Sequence, residues 1–486
     1  ANEFIKAGAA VYAIDENDLI DKEDFANKIQ LNDLKNISTY KYFTKKIISF
    51  GNYVYENYLT LRISKYIKLN DIETNNKRSP FHNFKFHAVN GRSNIWGRVS
   101  PRYNKEHFIK NGWPLIYKDL NKFYEKVEKK LILKGIKESH SSFNGKIKKI
   151  NKFSKKLLGF KQIIEKNNFV KNFFVAPILN YKPGRWNPYL KEILGSKNLN
   201  LIFNSVCTRI VMSKKNVVNG VEIFNKKTKK IKFIYGDYVF LSSAPINNVK
   251  LLLNSKSKFH PMGIGNNFNM VGKKFTDHIK VSFNASVMSK KQKKFLLDPF
   301  NPNKNYENFY ILINNKKSKL NFIVHGSISL TENLISMYSF AESDIDNKNK
   351  INLTHRLDSY GNKNCSIKFK WSKKEIETWK HQKDSIKLVL SDLEKFLNNK
   401  FSQSKKDQLY FNKIPTPGLS HHESGGLIMG KTAKKSVVDR NSKVWGIKNL
   451  YVCDMSTFPN LSPFNPTLTS LAITLRVTNN LIKALH

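Results

Sequence analysis

The spacing of hydrophobic residues switches between helical and strand-like periods along the chain. Residues 113–131 repeat apolar side chains three, four and seven positions apart, which predicts an amphipathic helix that packs on a core. From 201 to 243 the pattern is that of strands, and the pair Asn219-Gly220 favours a hairpin turn. The run Tyr238 to Leu241 is apolar throughout, which is typical of a buried parallel strand.

Later segments add an antiparallel sheet and two helices. Alternation of apolar and polar residues between about 277 and 372, as at Val281, Phe283 and Ala285, predicts strands with one buried and one solvated face. Residues 373–399 and 467–485 have helical periodicity. Because 486 residues exceed what one hydrophobic core accommodates, the sequence predicts an α/β protein of two domains.

The first residues predict one helix-to-strand step of an α/β fold. A helix end at Phe4 and Ile5 is followed by a stop at Gly8 and by an apolar strand that leads into Asp15. A carboxylate at the tip of such a strand holds a nucleotide ribose in doubly wound folds. Asp15 is therefore a candidate ribose ligand, although a solvated strand end is the favoured interpretation of this segment alone.

The charge of the chain is large but dispersed. Lysine and arginine number 84 against 37 acidic residues, which gives a formal charge of +47. Such a charge is typical of proteins that bind nucleic acid or anionic membranes. However, only ten of the basic residues are arginine, and the lysines are spread among Asn, Ile and Phe, which favours compositional bias. We therefore expect no nucleic-acid partner.

Cysteine usage and hydropathy exclude other classes of protein. The three cysteines are far apart and odd in number, so they predict neither a disulfide framework nor a metal site. No run approaches the roughly 20 apolar residues that span a bilayer, so no transmembrane segment is expected. A soluble cytoplasmic or periplasmic protein fits this pattern. The sequence opens without Met, which leaves a missing leader open.

Two glycine-bearing polar segments carry candidate chemistry. The first is residues 90–98, bounded by Gly91 and Gly97, where the backbone can approach a ligand closely. A surface turn around a buried tryptophan is the simpler interpretation of this segment alone. The second is residues 421–476, in which His422 precedes a glycine pair and Asn465 follows 43 residues later.

In these motifs the sequence resembles the glucose-methanol-choline (GMC) family of FAD-dependent alcohol oxidoreductases. The match extends over about 420–480 and recurs, in the family's order and spacing, at 90–98, 113–114, 251–255 and 272–278. The resemblance implies an FAD-binding doubly wound (Rossmann-like) domain and an α+β substrate domain with an antiparallel sheet. It places the FAD domain in residues 1–110, 196–276 and 430–486, and the substrate domain in 111–195 and 277–429.

The resemblance also implies the site residues. His422 aligns with the catalytic histidine and Asn465 with its partner, while Asp15 takes the adenosine ribose and Val206 approaches the adenine. The residues implied to contact FAD are Asp15, Gly91, Arg92, Ser93, Asn94, Trp96, Val206, Ala244, Asp454, Met455, Asn465, Pro466 and Thr467. Ile95 stands where some members attach flavin covalently through histidine, so the FAD is expected to be noncovalent.

The residue types at the central pair suit alcohol oxidation independently of the family. A histidine, with an unperturbed pKa of about 6.5, can take the hydroxyl proton at neutral pH. An asparagine does not titrate but can hydrogen-bond the developing alkoxide, so Asn465 would orient the substrate. Asn465 and Pro466 are also typical of a helix N-cap and first helical position, where free N–H groups favour nearby negative charge.

Several expectations follow from differences between this sequence and the family pattern, and from the loop at 90–98. The family's first strand and G-x-G-x-x-G turn, which hold the FAD diphosphate, do not occur in the sequence, so weak FAD binding is expected. Ala244 replaces the usual glycine after the buried strand. The loop is most similar to the branch that oxidises sugars and sugar acids, so a small alcohol or sugar is the expected substrate. The electron acceptor is not specified.

Two alternatives remain open at this stage. A lyase-type or inactive relative with the same flavin-binding fold would carry the same motifs. A polyanion-binding or membrane-surface protein would be driven by the charge of +47.

Overall fold

The computed structural model describes residues 1–18, 67–69, 73–74, 81–89, 91–94, 99–131, 133–134, 154–168, 170–175, 178–179, 195–287, 306–329, 334–398 and 400–485. Within these ranges the helices are α1 (Asn2–Lys6), α2 (Lys105–Lys110), α3 (Tyr117–Leu131), α4 (Ser154–Ile164), α5 (Pro245–Asn254), α6 (Lys373–Leu397), α7 (Lys405–Asn412) and α8 (Thr467–Leu485). Short 3-10 helices cover Gly91–Asn94 and Met455–Thr457.

The strands of the same ranges run in chain order through the molecule. They are β1 (Val11–Ile14), β2 (Ile67–Leu69), β3 (Glu73–Thr74), β4 (Phe84–Phe86), β5 (Leu133–Lys134), β6 (Val170–Val175), β7 (Ile178–Leu179), β8 (Leu199–Ile202), β9 (Ser205–Lys214), β10 (Val217–Asn225), β11 (Ile231–Tyr235), β12 (Val239–Leu241), β13 (Lys280–Val287), β14 (Tyr306–Ile313), β15 (Phe322–Ser329), β16 (Leu334–Ala341), β17 (Lys350–Leu357), β18 (Lys363–Lys368), β19 (Phe401–Ser402) and β20 (Leu450–Val452).

Parallel strand pairs form the α/β part of the molecule. Strand β1 pairs with β8, and β12 pairs with β20, so residues distant in sequence meet at the carboxyl ends of these strands. Helix α5 begins at Pro245 directly after β12. The predicted helix-to-strand step at the start of the chain is confirmed. The run Tyr238 to Leu241 does contain a parallel strand, but its predicted burial is wrong, because only Leu241 is buried and Tyr238 is exposed.

A six-stranded sheet lies beside this part, in the order β19-β13-β16-β15-β14-β6, with antiparallel pairing throughout. The prediction of antiparallel strands is confirmed, but the prediction that one face of the sheet is solvated is wrong for the central strands. In β14, the successive residues Phe309, Tyr310 and Ile311 are all buried. Helix α6 packs on β13, β15 and β16, and the opposite face belongs to the candidate site described below.

Three local predictions need correction. Asn219-Gly220 lies inside β10 rather than in a turn, at a register shift against β9. Glycine is required there because an added Cβ would lie 2.1 Å from the carbonyl oxygen of Ile234 on β11. The strands predicted between about 277 and 372 do not form one sheet, because β17 and β18 pair with each other and with β3 in a separate sheet. The amphipathic helix α3 begins at Tyr117, four residues later than its pattern suggests.

Helix α3 otherwise follows its pattern, and it supports the last helix of the chain. Its buried face includes Leu120, Phe123, Tyr124, Val127 and Leu131. Helices α3 and α8 pack together, and the Tyr124 hydroxyl lies 2.8 Å from Thr469 Oγ1 of α8. Among the described helices, none combines the length and the hydropathy that crossing a bilayer requires.

Candidate active site

Three chain segments meet beside the first turn of α8. The backbones of Thr276 and Ser424 exchange two hydrogen bonds of 2.9 Å, and the Gly425 N–H donates to the Met455 carbonyl at 3.0 Å. Gly425 has φ +76°, and an added Cβ would lie 2.1 Å from the carbonyl oxygen of Lys274. Gly425 therefore lets the histidine loop, residues 418–425, lie directly against the segment around residue 276.

Asp277 holds the backbone of the histidine loop. Its Oδ2 accepts a hydrogen bond from the Gly418 N–H at 2.9 Å, and its Oδ1 accepts from the Ser420 hydroxyl and from the His422 N–H. Burial, with a further contribution from the charge of Glu423, raises the pKa of Asp277 from 3.8 to about 7. Because the folded protein then binds this proton more tightly than the unfolded chain, Asp277 makes the fold less stable as pH rises through that interval.

The structure brings His422 and Asn465 together. The Asn465 amide nitrogen lies 3.4 Å from His422 Nε2, and the Tyr310 hydroxyl donates to Asn465 Oδ1 at 2.5 Å. Tyr310 thereby fixes the orientation of the amide, with its N–H groups directed at the imidazole. The side chain of Asn465 thus serves His422 rather than the helix end, and the helix itself begins at Thr467.

His278 fixes the tautomer of His422. His278 Nε2 lies 2.7 Å from the Ser462 carbonyl oxygen, which can only accept, so Nε2 carries the proton and Nδ1 is an acceptor. His422 Nδ1 lies 2.8 Å from that acceptor and must donate to it. We assign the tautomers from this network. The Nε2 lone pair of His422 consequently faces the Asn465 amide.

Burial keeps both imidazoles neutral. It lowers the pKa of His278 to about 3. It also holds the pKa of His422 well below its ordinary value, with further contributions from His278, His421 and the charges of Lys280 and Arg92. A neutral His422 with an unprotonated Nε2 is the form that can accept a proton at neutral pH.

A buried ion pair ties the loop at 91–94 to the histidine loop. Both terminal nitrogens of Arg92 donate to Glu423, one at 2.9 Å to Oε1 and the other to Oε2. Asn83 Nδ2 also donates to Oε1 at 3.1 Å. The sequence prediction gave Arg92 a role at the cofactor, whereas its guanidinium here bonds the carboxylate next to His422. Glu423 itself was not predicted as a site residue.

Other predicted residues lie at the carboxyl ends of the parallel strands. Asp15 follows β1, and its carbonyl oxygen accepts from the Ser205 N–H at 3.0 Å, which places it beside the start of β9 and Val206. Asp15 Oδ1 accepts from the Asn17 N–H at 2.9 Å. Gly91, Ser93 and Asn94 form a short 3-10 helix with Arg92, in which Ser93 is exposed. Ile95 and Trp96 lie outside the described residues.

Asp454 joins the end of β20 to the start of α5. Its Oδ2 accepts from the Ala244 N–H at 2.9 Å and from Asn248 Nδ2 at 2.7 Å. Its Oδ1 accepts from the Ser456 N–H at 2.9 Å. Burial raises the pKa of Asp454, against the effect of these donors. Met455 follows it in the 3-10 helix that ends at Thr457, and Pro466 precedes the first residue of α8.

Comparison with known proteins identifies the family. Family profiles described as GMC oxidoreductase match residues 102–280 and 346–474. The chain belongs to the GMC oxidoreductase family. An FAD cofactor and an oxidoreductase activity follow from this membership, as the resemblance implied. Among curated proteins, none matches this sequence.

Solved GMC structures share the fold. A formate oxidase variant from Aspergillus oryzae RIB40, studied for its effect on FAD modification, gives a TM-score of 0.67 at 14% identity, covering 100% of this chain and 95% of that one. Pyridoxine 4-oxidase from Mesorbium loti gives 0.62 at 13% identity, covering 99% and 96%. At these identities the likeness concerns the fold. The predicted class, an FAD-binding α/β domain with an antiparallel substrate domain, is confirmed.

Ala244 occupies a backbone conformation that glycine usually takes, in keeping with the GMC pattern. Its φ is 71° and its ψ is 159°. We expect Ala244→Gly to raise the free energy of unfolding, because relieving such strain gains about 1–3 kcal/mol. That gain exceeds the roughly 0.5–1 kcal/mol that glycine's greater freedom costs. Urea denaturation measures the difference.

The matched control for this prediction is Ala472→Gly. Ala472 is buried in α8, where the same substitution should lower the free energy of unfolding by about 1 kcal/mol. If both substitutions destabilise the protein, Ala244 is not strained.

Proposed function

We propose that this GMC protein oxidises the CH–OH group of a small alcohol or sugar-like substrate, with His422 as the base and Asn465 as the orienting amide. The observation that carries the proposal is the distance of 3.4 Å between His422 Nε2 and the Asn465 amide nitrogen, in a hydrogen-bond network that places the His422 proton on Nδ1. A substrate hydroxyl between these two groups would donate to the first and accept from the second.

In the proposed reaction, the substrate hydroxyl proton moves to His422 Nε2. The Asn465 amide donates to the alkoxide oxygen as its charge develops, and Tyr310 holds that amide in orientation. The Lys280 and Arg92 charges that lower the pKa of His422 favour the same negative charge on the substrate oxygen. FAD, when bound, would supply the acceptor for the hydride of the carbinol carbon.

The described residues fit FAD at separate positions of the α/β part. Asp15 provides a carboxylate at the end of a parallel strand, where a ribose binds, and Val206 lies beside it. The strained backbone at Ala244 and the segment Asp454-Met455 form the end of β12 and β20. The start of α8 at Thr467 offers N–H groups for the flavin's negative side. We propose noncovalent binding, and we propose the domain division at residues 110, 195, 276 and 429.

Anaerobic reduction of bound FAD tests the proposed function. Protein loaded with FAD is mixed with alcohols, sugars and sugar acids, and with formate and pyridoxine, while the flavin absorbance is followed. Bleaching by at least one CH–OH compound, with electrons recovered on an artificial acceptor, supports oxidation. Bound FAD that no compound of the panel bleaches contradicts it and favours the lyase-type or inactive alternative.

His278→Phe tests the tautomer assignment. Without the acceptor at His278 Nδ1, the His422 proton is free to move to Nε2, so we expect flavin reduction to slow by about tenfold to hundredfold. Nitrogen-15 NMR of the imidazoles should show loss of the Nδ1–H tautomer of His422. His355→Phe, on the exposed end of β17, is the control and should change neither quantity. An unaltered tautomer spectrum and rate in His278→Phe would refute the assignment.

A further inference from the structure

Lys280 is a cation in the wall of the candidate site. It is the first residue of β13 and lies opposite Phe340 of β16. Its Nζ lies 5.6 Å from the ring centroid of Tyr338 and 6.0 Å from that of Phe340. These distances reach the outer limit of cation–π contact, so the aromatic rings compensate the charge only in part.

The strand register connects Lys280 to the reacting groups. Phe340 and Tyr338 share a sheet face because they are two residues apart, and Tyr338 pairs with His325, which pairs with Tyr310. Both ends of this row of side chains contact the two proposed reacting residues. Phe340 lies 5.0 Å from the His422 ring, and Tyr310 bonds Asn465. Lys280 therefore lies on the sheet face that fronts His422 and Asn465.

The carboxylates nearby are occupied by other donors. Asp277 accepts from Gly418, Ser420 and His422, and Glu423 accepts from Arg92 and Asn83. Within the described ranges, no hydrogen bond or ion pair joins the Lys280 ammonium to another residue. Burial lowers the pKa of Lys280 to about 8, with Asp277 acting in the opposite direction. At neutral pH the ammonium stays charged, and none of the described residues is a direct counter-ion to it.

We propose that Lys280 binds a carboxylate of the substrate, so that the oxidised CH–OH group belongs to a hydroxy acid or sugar acid. The inference rests on the proposed function, since it places that substrate at His422. One ammonium matches a singly charged carboxylate, whereas a phosphate dianion calls for more donors, and Arg92 is already engaged by Glu423. The aromatic wall beside Lys280 then contacts the carbon chain of the acid.

Acid and amide pairs test this subsite by binding alone. Ligand-observed NMR titration compares glycolate with glycolamide, acetate with acetamide, and gluconate with gluconamide on the purified protein. We expect at least one carboxylate to bind about tenfold more tightly than its amide, as a charge-assisted contact should give. Lys280→Met should abolish that preference, and Lys280→Arg should retain it.

The matched control is Lys383→Met, which removes another lysine held over an aromatic ring. Lys383 Nζ lies 4.2 Å from the Trp379 centroid on α6, and its loss should leave the acid preference unchanged. Equal binding of every acid and its amide to the unmodified protein overturns the proposal without any variant. A preference that survives in Lys280→Met overturns it as well.

The two proposals fail in distinguishable ways. If neutral alcohols bleach the flavin while no acid outcompetes its amide, the oxidoreductase assignment stands and the Lys280 subsite falls. If the acid preference depends on Lys280 but no CH–OH compound bleaches the flavin, the subsite stands and the proposed reaction falls.

Discussion

Substitution of His422 by alanine will slow the reduction of bound FAD by substrate about a hundredfold to ten-thousandfold, the usual contribution of a positioned general base. The loss is expected because Nε2 of His422, which faces the Asn465 amide, is the proposed proton acceptor. His278 cannot replace it, since its Nε2 proton is donated to the Ser462 carbonyl. Anaerobic stopped-flow absorbance at saturating substrate measures the rate constant directly.

The pH profile of the same reaction provides a second readout. The pKa of His422 is held well below 6.5 by burial and by nearby positive charges, so its proton-accepting form dominates at neutral pH. The rate constant should therefore show no acid limb centred near 6.5 and should fall only at lower pH. His355→Ala is the control for removing a histidine, since His355 is exposed on β17. A wild-type rate in His422→Ala would exclude it as the base.

Arg92→Met should lower the free energy of unfolding by about 3–5 kcal/mol. The substitution removes the cation from Glu423, whose side chain is only 1% exposed. Among the described residues, Asn83 is then the one donor left to this buried carboxylate. Urea denaturation at pH 7.5 measures the loss. Because the Arg92 charge also lowers the pKa of His422, the acid limb of flavin reduction should move to higher pH.

Arg440 supplies the matched control for this pair. Its guanidinium lies 3.0 Å from Asp119, but its side chain is 51% exposed, so Arg440→Met should cost less than about 1 kcal/mol. In the Arg92→Met background, Glu423→Leu should recover part of the lost stability because it removes the uncompensated charge. Equal losses for the two arginines would mean that burial does not set the value of the Arg92–Glu423 pair.

Local sequence patterns predicted most of the helices and strands because the hydrophobic periodicity within each element matches the face that it buries. Helices α3 and α8 follow this rule, since neighbouring residues in sequence determine which face is buried. Asn219-Gly220 failed for the opposite reason. A glycine is needed at position 220 because the Ile234 carbonyl of β11 lies too close for a Cβ atom. The local sequence cannot distinguish a glycine needed for such close packing from a glycine needed for a turn. The prediction of a solvated face on the central sheet was wrong because α6 covers one face and the candidate site covers the other.

The site residues that belong to a sequence motif could be predicted, whereas those that strand pairing brings to the site could not. The spacing of His422 and Asn465 in the GMC pattern identified two side chains that the structure places 3.4 Å apart. Tyr310 and Lys280 reach the same place only through the pairing of β14, β15, β16 and β13. The segment 272–278 did hold a signal, because it contains Asp277 and His278, which position His422. Its match to the family pattern alone gives these two residues no role of their own.

The hydrogen-bond direction at His278 also governs where a proton can go. A peptide carbonyl such as that of Ser462 does not take up a proton in water near neutrality, so His278 has no route by which to pass one onward. In the proposed reaction, a proton captured on His422 would be stored there and would leave from the same nitrogen. In the proposed cycle the proton would therefore stay at the site until the product has left Nε2 and another acceptor reaches that nitrogen.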